Sequence, residues 1–326
     1  MKRRELRAAG SGLLSTATGL YAQAAWPTKP VTLLVGFPPG GQTDFAGRVL
    51  MNGMQTTLGQ AVIIDNKAGV NGNLAAVEVL KAPPDGHKLL VGNGSMTISQ
   101  HFYTKLGMID PRQLTPIGVM LQSSLVLAVP ASSPIKTYAQ FVEAAKAKAK
   151  AGKGMDYGTG GAGSLVHVTM ELLRERMGGP AMNHVPYKGS SPAMIDLMAG
   201  RLDAMFDATS VVAPFIKDGK LRPLLVTGAK REALFPDVPT TTEAGIKDFV
   251  IISFIGLYGP PGLPADVVAK ANSAINTAMK DPAVTKGILE RGDEPGGGTA
   301  EQLGNLTRTH YKLWGDVVKA NNIQAE

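Results

Sequence analysis

The sequence predicts an α/β protein of two domains, and three observations carry that reading. From Ala25 onward, short β-branched apolar runs alternate with stretches of helical period, the pattern of strands covered on both faces by helices. The alternation starts afresh in the middle of the chain, as a second independent unit would require. After the break Gly259-Pro260-Pro261-Gly262 only helical patterns follow, and helices without strands of their own need a sheet to cover. With 326 residues, 44% of them hydrophobic and 18% charged, the chain can fill two cores.

The elements follow in order. Residues 31–37 are almost wholly apolar and read as a strand buried on both faces. Residues 43–58 place Phe45, Val49, Leu50 and Met54 at helical spacing. A strand at 61–65, a helix at 73–81 and a strand at 87–92 complete the first unit, which therefore reads as a parallel sheet. The second unit opens with a strand at 124–129, an Ala/Lys-rich helix at 136–150 and a short strand at 155–157. Segments 164–177, 182–187, 192–201, 203–206 and 221–227 continue the alternation, and 249–258 is again strand-like. Helices are expected at 264–280, 282–291 and 299–321, the last with Leu303, Leu306, Leu313, Val317 and Val318 on one stripe and Trp314 beside them. The terminal helices are expected to return to the first sheet. The domains are then residues 25–125 with 250–326, and residues 126–249, joined by two crossings that form a hinge over a ligand cleft.

Residues 1–24 have the form of an export signal. Lys2, Arg3, Arg4 and Arg7 precede a mildly apolar middle, and Ala22-Gln23-Ala24 has the A-x-A spacing of a cleavage site. Arg3-Arg4 keeps twin-arginine export open beside general secretion. The segment also holds much of the net charge of +7, and no basic run interleaved with aromatics follows, so nucleic acid is not an expected partner. Cysteine is absent, which excludes disulfides, thiolate nucleophiles and cysteine-held metals. The five histidines show no paired ligand spacing, and neither a metal nor a cofactor is expected.

Two glycine-rich loops lie between a strand and a helix. In Gly36-Phe37-Pro38-Pro39-Gly40-Gly41-Gln42-Thr43-Asp44, Gln42 stands where a phosphate-binding loop would carry lysine, and two prolines remove N–H donors. What survives is a helix N-terminus with free N–H groups that favours an anion, with Thr43 and Asp44 as cap candidates; a plain Gly/Pro turn is the alternative. Gly158-Thr159-Gly160-Gly161-Ala162-Gly163-Ser164 matches G-x-G-x-x-G, yet no carboxylate stands about 20 residues on, where a dinucleotide ribose would need one. Its donors are backbone N–H groups and the hydroxyls of Thr159 and Ser164. Asp207 ends the strand 203–206, where open α/β sheets take ligands; capping of the next helix is the equal alternative. Ser164, His167 and Asp207 compose a nominal triad, but no G-x-S-x-G elbow accompanies them, and an enzyme is not expected.

These residues resemble the substrate-binding proteins of tripartite tricarboxylate transporters, the Bug family of periplasmic receptors. The likeness runs through Trp26-Pro27-Thr28-Lys29-Pro30-Val31, Phe37-Pro38-Pro39-Gly40-Gly41 with Thr43-Asp44, and Leu58-Gly59-Gln60. It continues through Pro84-Asp85-Gly86, His184-Val185-Pro186-Tyr187-Lys188-Gly189, Asp237-Val238-Pro239-Thr240 and Gly259-Pro260-Pro261-Gly262. The resemblance implies a two-domain type II periplasmic-binding fold, a Venus flytrap that closes on an organic carboxylate and delivers it to membrane transporter subunits. It implies a monomer in the periplasm, with ligand contacts at Phe37, Gly40, Gly41, Thr43, Ser95, Thr159, Ala162, Ser164 and Asp207. The sequence departs from the family at Leu165-Val166-His167, where proline and histidine are usual, and at Asn93-Gly94-Ser95-Met96, where threonines are frequent. Aromatic dicarboxylates such as terephthalate are preferred over citrate-like acids, because Phe37 offers an apolar face and glycine walls leave room for a ring. The rival classes are a hydrolase using Ser164, a nucleotide-dependent enzyme, and a receptor that signals to a sensor kinase.

Overall fold

The computed structural model describes residues 26–103, 107–321 and 323, so the expected export segment lies outside the described residues. The first unit runs β1 (Val31–Val35), α1 (Gln42–Leu58), β2 (Val62–Asn66), α2 (Asn73–Leu80) and β3 (Lys88–Asn93). β1 lies parallel between β2 and β3, because each strand is followed by a helix that carries the chain back. Helix α1 stops where Gly59 turns left-handed (φ 69°) and its N–H caps the Gln55 carbonyl.

A short helix, α3 (Met96–Phe102), then leads to β4 (Thr115–Pro130), a strand of 16 residues. The second unit follows as α4 (Tyr138–Lys150), β5 (Met155–Thr159), α5 (Leu165–Arg176), β6 (Met182–Pro186), α6 (Ser190–Met198), β7 (Ala204–Ala208), α7 (Thr209–Lys217) and β8 (Leu221–Val226). The chain returns through β9 (Ile252–Gly259) and ends in α8 (Ala265–Ala278), α9 (Pro282–Glu290), β10 (Glu294–Gly297) and α10 (Ala300–Ala320).

The strand order is β2-β1-β3-β9-β4-β7-β5-β6, with β8 and β10 also on β4. The parallel sheet read for the first unit holds for β1, β2 and β3, but it continues into antiparallel strands: β9 is antiparallel to both β3 and β4, and β4 is antiparallel to β7, β8 and β10. The reason is topological. β4 carries the chain out of the first sheet and β9 brings it back, and two neighbouring segments running out and back must oppose each other. The Thr115–Ser124 half of β4 pairs with β9, and the Leu125–Pro130 half pairs with β7 and β8.

Thr227 stands where these segments meet and is fully buried. Its Oγ1 accepts from Leu125 N (2.9 Å) and donates to the Ile251 carbonyl (2.5 Å). Its backbone N–H donates to the Leu125 carbonyl (2.9 Å), and its carbonyl accepts from Ile251 N (3.0 Å). One threonine thus satisfies the outgoing and the returning strand at the same level.

Two further expectations change. The terminal segment is not helical alone, because Glu294–Gly297 forms β10, an edge strand whose proline and glycines hide its nature. Nor does α10 cover only the first sheet. Its N-terminal half, secured by a Thr299/Gln302 capping box, buries Leu303 against Leu34, Leu90, Val119, Phe254 and Tyr258. Its C-terminal half buries Trp314, Val317 and Val318 in the other core with Phe141, Tyr157, Leu165 and Phe206. Helix α3 also spans both, with Met96 in the first core and Ile98 and Phe102 in the second.

Candidate functional site

The loop after β1 is shaped by Asp44. Its Oδ2 accepts from Gly40 N (2.8 Å) and Arg48 Nε (2.9 Å), while Oδ1 accepts from Asn66 Nδ2 (2.9 Å). Burial opposes the charge, but Arg48, the Gly40 N–H and Asn66 together hold the carboxyl below its ordinary value. Thr43 and Asp44 are not the helix cap: Gly41 takes that position in extended conformation, and the two residues lie within the first turn. Gly40 has φ +88°, which favours glycine, and both Gly40 and Gly41 are exposed with open space where a Cβ would point. Thr43 is buried and its Oγ1 accepts from Asn93 Nδ2 (3.3 Å). Asn93 Oδ1 in turn accepts from the N–H of Ser95, which is also buried.

The loop after β5 is held from below by two stacked imidazoles. His167 and His184 lie 3.8 Å apart and nearly parallel. His184 Nε2 bonds Thr159 Oγ1 (2.7 Å), and His167 Nδ1 accepts from Gly163 N (3.1 Å). Burial, then the neighbouring His184, push His167 down to about 3, so it is neutral near neutral pH and only weakly basic, with its Nδ1 lone pair taken by the Gly163 N–H. Ser164 caps α5: its Oγ accepts from His167 N (3.4 Å) and spends its proton on the Gly161 carbonyl (2.7 Å). Ser164 and His167 of the nominal triad are therefore engaged otherwise.

Asp207 is the penultimate residue of β7 and is buried. Oδ1 accepts from Ala208 N (2.8 Å), whereas Oδ2 has no partner. The cap of α7 is Ala208, with no side-chain bond, so Asp207 does not cap that helix. Desolvation pushes its carboxyl up to about 6, only partly offset by Ser190 and the Ala208 N–H.

A turn that the sequence did not single out brings the loops together. Val70 and Asn71 both have positive φ (46° and 51°) in the short helical turn Val70–Gly72. A Cβ on Gly72 would meet the Phe37 ring at 3.1 Å, so the turn backs the first loop. On its other side Asn71 Nδ2 donates to the Ala162 carbonyl (3.1 Å), and Tyr103 Oη donates to the same oxygen (2.9 Å). Gly163 permits this approach, because a Cβ there would lie 2.6 Å from the Phe102 ring. Phe37, the Val70–Gly72 turn and Ala162 thus form one continuous wall. The sequence offered no motif for Asn71 or Tyr103, whose partner is 91 or 59 residues away.

Among the described residues, no group of three His, Asp or Glu side chains could hold a metal ion. Two surface cavities lie elsewhere. One of about 590 Å³ runs along α10 and β10, lined by residues such as Val119, Gly297, Asn305 and Thr309; another of about 300 Å³ lies between Tyr138, Arg176 and Lys247.

Residues 46–323 match the model of the tripartite tricarboxylate transporter family receptor. Among solved structures, Rpa4515 of R. palustris with adipate is 31% identical, with a TM-score of 0.83, covering 92% of this chain and 99% of its own. MatC of Rhodopseudomonas palustris with bound malate is 29% identical, with a TM-score of 0.81 over 90% of this chain and all of that one. The periplasmic binding protein BugD is 28% identical, with a TM-score of 0.81 over 92% of this chain and all of that one.

Proposed function

The chain belongs to the tripartite tricarboxylate transporter receptor family, and from that premise we propose that it captures an organic dicarboxylate between its lobes in the periplasm. The observation that carries this reading is the meeting of two glycine-rich loops, each opening a helix, on either side of the Asn71 turn. Helix N-termini hold a carboxylate through backbone N–H groups without any group set to transfer a proton. The likeness to an adipate-bound and a malate-bound protein supports the ligand class.

In this reading, exposed Gly40 and Gly41 and the N–H groups leading to Thr43 receive one carboxylate, beside Phe37. Thr159, Ala162 and Ser164 supply the opposite wall, with Ser164 acting through the backbone it caps. Asp207 faces the ligand with its unpartnered Oδ2, which accepts from a ligand hydroxyl, as in malate, or in its protonated form donates to a second carboxylate. Ser95 shapes the floor through Asn93. The lobes are residues 25–125 with 250–326, and residues 126–249, with Thr227 at the crossing. The mature monomer starts at Ala25 and delivers its ligand to membrane transporter subunits. Terephthalate is a candidate beside the aliphatic acids because of the Phe37 ring.

The test is isothermal titration of the chain from Ala25 with adipate, malate, citrate and terephthalate. One dicarboxylate bound per chain and recovered unaltered is expected. Conversion of the ligand, or no binding by any of the four, would refute the reading.

A further inference from the structure

Where the loop after β5 spends its backbone groups decides what it can hold. Each carbonyl from Thr159 to Ala162 is taken. The Thr159 oxygen accepts from Tyr187 N (3.0 Å), and the Gly160 oxygen from Gly189 N (3.0 Å). The Gly161 oxygen accepts from Ser164 Oγ (2.7 Å). The Ala162 oxygen accepts twice, from Asn71 Nδ2 (3.1 Å) and from Tyr103 Oη (2.9 Å), so both of its lone pairs are used. The N–H groups divide differently. Gly161 N turns to Thr159 Oγ1 (3.3 Å) and Gly163 N to His167 Nδ1 (3.1 Å). Those of Gly160 and Ala162, both half-buried, meet no acceptor among the described residues. The loop thus shows donors and hides acceptors. Backbone N–H groups or the loop's own serine cover the first three oxygens, whereas the Ala162 oxygen depends on two side chains from distant elements, the Val70–Gly72 turn and the end of α3. Asn71 keeps the left-handed backbone (φ 51°) that asparagine tolerates, and burial holds the Tyr103 phenol above its ordinary value, so it remains a donor.

We propose that Asn71 and Tyr103 are specificity-determining residues: by masking the Ala162 carbonyl they leave this loop with N–H donors alone, so that it takes a carboxylate and turns away an ammonium group. An oxyanion meets only donors here. A cationic ligand end finds no free oxygen on the loop and gives up its bonds to water without replacement. Asn71 and Tyr103 need not touch the ligand, since each acts through the oxygen it covers. The inference rests on the carboxylate-receptor reading of the cleft and deepens it, by naming what the second loop selects against.

Adipate and 6-aminohexanoate are the probes, because they share a chain and one carboxylate and differ in whether the far end is anionic or cationic. Adipate is titrated calorimetrically, and 6-aminohexanoate in competition with it, against the parent chain, Tyr103→Phe, Asn71→Gly and the double variant. Phenylalanine removes only the hydroxyl, and glycine keeps the positive φ open. In the double variant the bared carbonyl should accept the ammonium group. The ratio of adipate to 6-aminohexanoate affinity should then fall by roughly 10- to 150-fold, the value of a hydrogen bond to a charged group. Each single variant leaves one donor on the oxygen and should shift the ratio in the same direction by less. Asp207 is common to all these proteins, so its own pull on an ammonium group cancels in the comparison. A ratio unchanged in the folded double variant, including an equal loss of both ligands, is what a purely supporting role predicts and would overturn the inference. If the double variant does not fold, an unchanged ratio in Tyr103→Phe overturns it equally. Failure of the parent chain to bind adipate would instead overturn the carboxylate reading, and this inference with it.

Discussion

Asp207→Asn should make the protein more stable, and only above a defined pH. Asp207 is enclosed, no cation lies beside it among the described residues, and burial pushes its carboxyl up from 3.8 to about 6. The native state therefore binds a proton more tightly than the unfolded chain, so stability falls as pH rises from about 4 to about 6 and is level beyond. Raising the carboxyl from 3.8 to about 6 corresponds to about 3 kcal/mol. Asparagine does not ionise, so the variant should gain about 3 kcal/mol over the parent at pH 8 relative to their difference at pH 4. Any constant effect of the new amide cancels in that comparison. His167 and His310, held down by burial, lose stability in acid in both proteins and also cancel. Urea unfolding of both proteins from pH 4 to pH 8 measures the difference. A difference independent of pH would show that Asp207 is solvated or paired, and would refute the account of this strand end.

Three further outcomes follow from the same geometry. Gly41→Trp should fold normally, since the nearest atom to a Cβ there is the Pro38 carbonyl oxygen at 3.8 Å, yet abolish dicarboxylate binding in titration calorimetry. Ser164→Ala should cost about 1 kcal/mol in urea unfolding through loss of the α5 cap. Thr227→Val should cost roughly 2–4 kcal/mol in the same assay, because Leu125 N and the Ile251 carbonyl each lose a buried partner.

Local chemistry was legible in the sequence, and what depends on distant partners was not. The helix after 42 and the strands around Leu33 and Leu90 announce themselves by period, and the two loops by glycine between two periods. β4 was legible only in its second half, because Pro116 and Gly118 interrupt the first and two bulges fall there. β10 reads Glu-Pro-Gly-Gly, a composition that forms a strand only because β4 offers an edge. Asp44 could be placed in the first turn of α1, but its grip on Gly40 N depends on the loop folding back. Asp293 was invisible for a simpler reason: the residue it holds, Gln42, is 251 positions away. Ser164 shows the opposite case, a hydroxyl expected to bond a ligand and already spent as an N-cap donor and acceptor.

A crystal structure of the chain from Ala25 with the tightest-binding dicarboxylate tests the central claim most directly. One carboxylate should lie within hydrogen-bonding distance of the N–H groups between Gly41 and Thr43, with the ligand spanning toward Ala162 and Asp207. A dicarboxylate seated instead in the cavity between α10 and β10, or touching only one of the two loops, would contradict it.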